Sequence, residues 1–262
     1  MLLVDYSVFI YFLVFILGLC LGSFINSWVW RTWENCRITS GRSTCVHCHR
    51  QLGWWENIPL FSFIFLRGRC LSCKKAIPRH YPAVEFITAA LLTFVFWYQV
   101  NYLPFVFTHF LRDVFFVAFL VVIFIFDGLY KVILPQVVAA GALVGLAANI
   151  FDLHYSPLSL LWGVIFAVGF FGGQFLISKG RWIGGGDIWL GAMMGIWLGW
   201  PNILVAIFLA YILGAIVAIF LIIFKKKSWQ TEIPFGTFLA IGTFFALYHG
   251  QQVIDWYWGL LK

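Results

Sequence analysis

Charge is what this chain has least of. Of 262 residues only 10% are charged and just ten are acidic, against 63% hydrophobic and a mean hydropathy of +0.94. Soluble domains carry about 25% charged residues. A soluble fold could not hide this much apolar surface, so lipid must solvate most of the chain. No basic region precedes the first apolar stretch, where Asp5 is the only charge. That stretch, Tyr6 to Val29, is too long for a signal core and is followed by arginines, so it reads as a retained first helix. No glycine fingerprint of the dinucleotide-binding kind follows a strand. Six cysteines in a chain of this length do not make a disulfide scaffold. The net charge of +7 does not point to nucleic acid, because the charges fall where membrane topology requires them.

A spanning helix needs roughly 20 mainly apolar residues, and about eight segments qualify. They are Tyr6–Val29, Ala83–Val100, Arg112–Phe126, Val132–Phe151, Leu158–Ser178, Asp187–Trp200, Ile203–Phe224 and Phe235–Trp258. With the polar segment Trp30–Pro82 in the cytoplasm, alternation places fifteen of the seventeen basic residues inside, leaving only Arg112 and Lys262 outside. This agrees with the positive-inside rule. Lys225–Lys227 act as a stop signal. The segment beginning at Asp187 is short, follows Gly184–Gly186 and precedes Pro201; it is either a broken helix or one with a flexible mouth. Irregular backbone at membrane depth is tolerated only against protein or a water-filled cavity, so a site is expected there. The expected fold is an all-α polytopic membrane protein of about eight transmembrane helices. It divides into residues 1–29 as the first helix, 30–82 as a cytoplasmic metal-binding loop domain and 83–262 as a seven-helix catalytic domain.

The loop carries Cys45, Cys48, Cys70 and Cys73, two C-x-x-C pairs. Four thiolates complete one closed tetrahedral zinc site, and zinc would supply the folding energy that a loop with few apolar runs lacks. His47 and His49 could substitute as ligands. Four unmetallated thiols, or two local disulfides, are the alternative. Cys20 in the first helix and Cys36 in the loop have no assigned role.

Most acidic residues lie near the outer face or in the loop. Asp127 and Asp187 differ: one ends the apolar run VVIFIFD, and the other follows a triple glycine. Both fall at cytoplasmic helix ends, and ionisable groups within spans usually face a cavity or a partner. Two carboxylates in one low-dielectric site share a proton, as in aspartic proteases. The alternatives are that Asp127 pairs with Lys131 while Asp187 caps a helix N-terminus, or that the two form a transporter's proton relay. A non-enzymatic scaffold recruiting a partner through its metal loop is a further possibility.

Six stretches then carry a resemblance: Gly22–Arg31 (GSFINSWVWR), Arg42–Cys73, Pro78–Phe86, Asp127–Pro135 (DGLYKVILP), Gly184–Gly199 (GGGDIWLGAMMGIWLG) and Ile233–Gly242 (IPFGTFLAIG). In order and spacing they resemble the type IV prepilin peptidases, membrane aspartic proteases of the glycine-aspartate type. The resemblance implies an enzyme of the bacterial inner membrane that cuts the basic leader from prepilins and pseudopilins at the cytoplasmic face, with Asp127 and Asp187 as the catalytic pair. Members with the cysteine-rich loop are typically bifunctional and methylate the new amino terminus with S-adenosylmethionine. Glu56, Glu85 or Glu232 could hold a basic leader. The chain departs from the family pattern at Trp189, at Gln136 and at Thr237, where the last motif more often has proline. None of these is expected to touch the aspartates.

Overall fold

Apolar runs of this length become helices because lipid offers no partner to an unpaired N–H or C=O, and a helix satisfies both within one segment. The structure, a computed structural model, describes residues 2–37, 41–152, 156–224 and 233–260. The described residues are overwhelmingly helical and contain no strand, only two isolated β-bridges. The helices are α1 (Leu2–Trp33), α2 (Phe61–Phe65), α3 (His80–Tyr102), α4 (Phe107–Tyr130), α5 (Pro135–Asp152), α6 (Pro157–Ser178), α7 (Gly185–Leu198), α8 (Asn202–Ile223) and α9 (Phe235–Leu260). All but α2 coincide with an expected span.

Five helices, α1, α3, α4, α6 and α8, are long and apolar enough to cross a membrane, and α5 is a shorter apolar helix. The chain is therefore a multi-pass membrane protein. The count of eight spans is not reached by length and composition alone. At 14 residues, α7 is about 21 Å long, short of a roughly 30 Å hydrocarbon core. Polar residues from His249 to Gln252 interrupt the apolar run of α9. Lys225–Lys227, the expected stop signal, lie outside the described residues.

The chain forms two compact units, Met1–Val121 and Val122–Lys262. In the first, α1 and α3 pack closely. Gly18 faces Ala89 and Gly22 faces Glu85, so the two helices run antiparallel. Their small residues let the backbones approach as in other membrane helix pairs. Where α3 gives way to α4, buried Asp113 accepts from Gln99 at 2.7 Å and from Arg112 at 2.8 Å.

In the second unit α7 is the central helix, touching α5, α6, α8 and α9. Leu190, Met193, Met194, Trp197 and Leu198 along it are fully buried. A helix too short to span is thus held by protein on several sides. Trp197 donates its indole N–H to Gly141 O at 2.9 Å, and Asn149 donates to Ile196 O at 2.7 Å. Against α6 the contact is backbone to backbone: a Cβ on Gly195 would lie 2.6 Å from Val164 N and 2.7 Å from Gly163 C.

Because neither backbone can retreat, Gly195→Val should destabilise the protein by about 2 kcal/mol through overpacking. Gly169→Ala, where the added methyl meets nothing within 4 Å, should not. Thermal unfolding midpoints of the detergent-solubilised variants check this.

Candidate active site and metal centre

The four loop cysteines converge in the first unit. Their sulfurs all lie within 4.8 Å of one another, with Cys45 Sγ and Cys73 Sγ 3.9 Å apart. Ligands at 2.3 Å in a tetrahedron stand about 3.8 Å from each other, so the set fits one metal ion. Two nearly identical turns build it. The Cys45 N–H donates to Arg50 O and the Cys70 N–H to Lys75 O, both at 2.9 Å. His49 N–H returns to Cys45 O and Lys74 N–H to Cys70 O. The residue after each second cysteine, His49 or Lys74, takes a positive φ of 55° or 58°, and one β-bridge closes each turn, Thr44 with Gln51 and Arg69 with Ala76. His47 is not a ligand in this arrangement; its Nε2 meets Ala76 O at 3.2 Å and ties one turn to the other.

Burial pushes the Cys45 thiol up to about 11, while the N–H groups of Cys73 and Ser72 draw Cys70 down to about 6. Without a cation the four would not all ionise together near neutrality; a bound metal ion makes coordinating thiols thiolates outright. Cys20 and Cys36 are free, exposed and remote from the cluster.

The second unit brings Asp127 and Asp187 to one cavity of about 900 Å³. Asp127 sits in the last turn of α4 and Asp187 in the first turn of α7, and both side chains are buried. The N-terminus of α9 reaches Asp127: the Thr237 N–H donates to Oδ2 at 2.7 Å. Asp187 caps its own helix, Oδ2 accepting from Gly184 N–H at 2.9 Å. The capping role foreseen as an alternative is thus real, and it coexists with a place in the cavity wall. Gly236 makes room for the first carboxylate, since a Cβ there would stand 3.0 Å from Asp127 Oδ2.

The geometry corrects one expectation. The departure at Thr237 does touch an aspartate, because the donor to Asp127 is the backbone N–H that a proline at that position would lack. The position looked remote because it lies 110 residues along the chain, and proximity of that kind leaves no periodic signal.

The other acidic candidates are committed elsewhere. Glu56 is buried, paired with Arg50 at 2.5 Å and accepting from Gly53 N–H at 2.7 Å. Glu85, also buried, accepts from Leu60 N–H at 2.9 Å, which supports the tight turn where Leu60 has a φ of 59°. Glu56 braces the metal-binding segment from within and Glu85 ties it to α3, and neither is free to hold a leader. Glu232 lies outside the described residues. Reading the residues alone missed Gln174, Arg181 and Tyr211, which share the cavity wall. Each is a lone polar residue near or within an apolar run and has no motif to mark it.

Residues 16–99 match the family model of the bacterial peptidase A24 N-terminal domain, and residues 114–219 match that of the type IV leader peptidase family. The chain is 30% identical to a prepilin leader peptidase/N-methyltransferase of Legionella pneumophila over 98% of both chains. It is 32% identical to the protein of that description from Pseudomonas aeruginosa, over 92% of this chain and 91% of the relative. A Bacillus subtilis relative with the same description is 28% identical over 94% and 96%. No solved structure matches the chain.

Metal binding by four thiols releases protons, so acid should weaken it and neutral to alkaline buffer should favour it. The purified protein is expected to hold one metal ion per chain at neutral pH, to lose it on mild acidification, and to lose it at every pH in Cys73→Ser. Elemental analysis of the dialysed protein measures all three.

Proposed function

Because the chain belongs to the type IV leader peptidase family, we propose that it is a membrane aspartic endopeptidase that removes the leader from prepilins or pseudopilins, with Asp127 and Asp187 as its catalytic pair. The observation that carries this reading is the common cavity: two carboxylates from distant segments line one space, each held by backbone N–H groups at a helix N-terminus.

Two carboxylates this enclosed do not both ionise easily, and one proton serves the pair. The ionised member takes a proton from a water molecule, whose oxygen attacks the scissile carbonyl carbon. The protonated member donates to the carbonyl oxygen as charge develops there. When the tetrahedral intermediate collapses, the carbon–nitrogen bond breaks and the leaving amine takes a proton from the pair. Backbone donors to both carboxylates hold them in place throughout, so little reorganisation accompanies the reaction.

In functional terms residues 1–29 form a spanning helix, 30–82 a metal-binding segment and 83–262 the catalytic helices. Zinc is the metal, since four cysteines with no open coordination position make a structural site. The cysteine loop and the aspartates belong, on this reading, to the cytoplasmic face of a bacterial inner membrane, which the distribution of basic residues supports. Lys131 and Arg181, beside the aspartates, belong to connections on that side. The partners are prepilin-like substrates and membrane lipid, and no nucleic acid.

Methylation of the new amino terminus by S-adenosylmethionine follows from the family resemblance and the description the relatives carry. The first unit has cavities of about 120, 300 and 580 Å³, and Glu56 and Glu85 line the smallest. Both carboxylates are already engaged. Proteolysis needs no contribution from the methyl donor. None of the relatives named above is a transporter, and nothing in the cavity favours a proton relay.

Incubating the purified protein with a prepilin should yield a product lighter by the leader, with a further methyl increment when S-adenosylmethionine is added; intact mass spectrometry reads both. Asp127→Asn and Asp187→Asn should each lower cleavage about 10⁴-fold or more without unfolding the protein. Cleavage persisting in both would refute the pair. Thr237→Pro removes one hydrogen bond to Asp127 at a position in the first helical turn that tolerates proline. It should lower kcat/KM about ten-fold.

A further inference from the structure

The cavity wall opposite the helix ends holds a polar pair that the peptidase mechanism does not use. Tyr211 lies in the middle of α8 and Gln174 in α6, and the tyrosine hydroxyl donates to Gln174 Oε1 at 2.7 Å. Two edge-on aromatic contacts fix the Tyr211 ring, Phe235 at 4.9 Å and Phe170 at 5.8 Å between centroids. Gln174 spends one amide hydrogen on a long contact to Phe170 O at 3.4 Å. Among the described residues neither side chain has another hydrogen-bond partner.

That leaves a defined residual capacity. A tyrosine oxygen that donates still has lone pairs to accept, and a carboxamide nitrogen has a second hydrogen to donate. The pair thus offers one acceptor and one donor side by side, the complement of the N–H and C=O that one residue of an extended chain presents on the same side. Beyond it α8 carries small side chains. Gly214, Ala215 and Ala218 follow Tyr211 on the same face of α8 and line the same cavity, at the helical spacing of three, four and seven residues. The rings of Phe238 and Phe235 stand against Gly214, and α8 itself offers nothing larger than a methyl group at these positions.

A peptide must be extended to be cut. A substrate that arrives as an apolar helix loses its internal hydrogen bonds around the scissile bond, in surroundings where each unpaired backbone group costs several kcal/mol. We propose that Tyr211 and Gln174 together bind one residue of the unwound, extended substrate beside the scissile bond, Tyr211 Oη accepting that residue's N–H and Gln174 Nε2 donating to the same residue's carbonyl. This rests on the peptidase reading and adds a binding subsite to it. The pair is a substrate-backbone clamp, indifferent to the side chain at that position, and it selects for a segment able to unwind there.

The test uses the full-length protein in detergent with synthetic prepilin peptides in which one amide at a time near the cleavage point is replaced by an ester. The ester removes one residue's N–H and weakens the preceding residue's carbonyl as an acceptor. Tyr211→Phe keeps the ring and deletes the oxygen; Gln174→Leu deletes the amide and provides an independent variant from the other helix. With the wild-type protein one ester position should lower kcat/KM about ten-fold. In either variant the all-amide peptide should be cut about ten-fold more slowly, with an unchanged thermal midpoint, and in Tyr211→Phe that ester should cost little more, as a double-mutant cycle requires of interacting groups. Esters that cost the same in wild type and Tyr211→Phe, or variants that cut the all-amide peptide at the wild-type rate, would overturn the clamp and leave the peptidase standing. Failure of the wild-type protein to cut any prepilin peptide would overturn the peptidase reading and the clamp with it.

Discussion

A carboxylate at membrane depth is tolerable only if N–H groups meet it, and the second unit is arranged around meeting two of them. Leaving an isolated charge in an apolar medium costs far more than any packing contact returns, whereas a hydrogen bond to a charged group contributes about 1.5–3 kcal/mol. Helix N-termini present such donors unpaired and carry the positive end of the helix dipole. Asp187 uses the start of its own helix, at Gly184. Asp127 sits at the wrong end of its helix for that and depends on the start of α9. The second solution requires a far part of the chain to arrive within 2.7 Å, and much of the surrounding architecture serves that arrival.

The shortness of α7 makes sense in this light. A helix that crossed the full bilayer would carry its N-terminus to the membrane surface, where water competes for the donors. At 14 residues it is short of a full crossing, and its neighbours supply the burial that lipid would give a longer helix. Its backbone lies against that of α6 at Gly163 and Gly195, while α8 and α9 run antiparallel beside it, Gly242 against Ala206 and Gly250 against Asn202. Small residues at these crossings bring helices near enough for a terminus on one to serve a side chain on another.

The first unit solves a different problem. Between α1 and α3 the chain has only one short α-helix and one 3-10 turn, too little apolar material to order itself. Two nearly identical cysteine turns stand in place of a core, and Glu56 within the segment and Glu85 on α3 hold it by accepting from backbone N–H groups of the loop. The same device recurs in both units: an acidic side chain bonded to backbone donors fixes chain that hydrophobic packing cannot.

How much of this could be read beforehand follows from the range of each interaction. The eight helices that coincide with the expected spans were legible because hydrophobicity is written locally, residue by residue, although only five of them are long and apolar enough to cross a membrane. The metal cluster was legible because ligand spacing is a local pattern that the metal's geometry constrains. That Asp127 and Asp187 line one cavity could be expected because buried charges demand a cavity or a partner. What supports the pair could not. Thr237 serves Asp127 through its backbone N–H, which every residue but proline possesses, so side-chain identity says little. Tyr211 and Gln174 each look like a single polar residue that an apolar helix tolerates, and only the crossing of α6 and α8 makes them a donor and an acceptor for one residue of an extended chain. The consequence reaches the chemistry. If proline usually stands where Thr237 does, the carboxylate of Asp127 here has a donor that most of its counterparts lack, so a residue of the last motif adjusts, through its backbone, one of the two proposed catalytic groups.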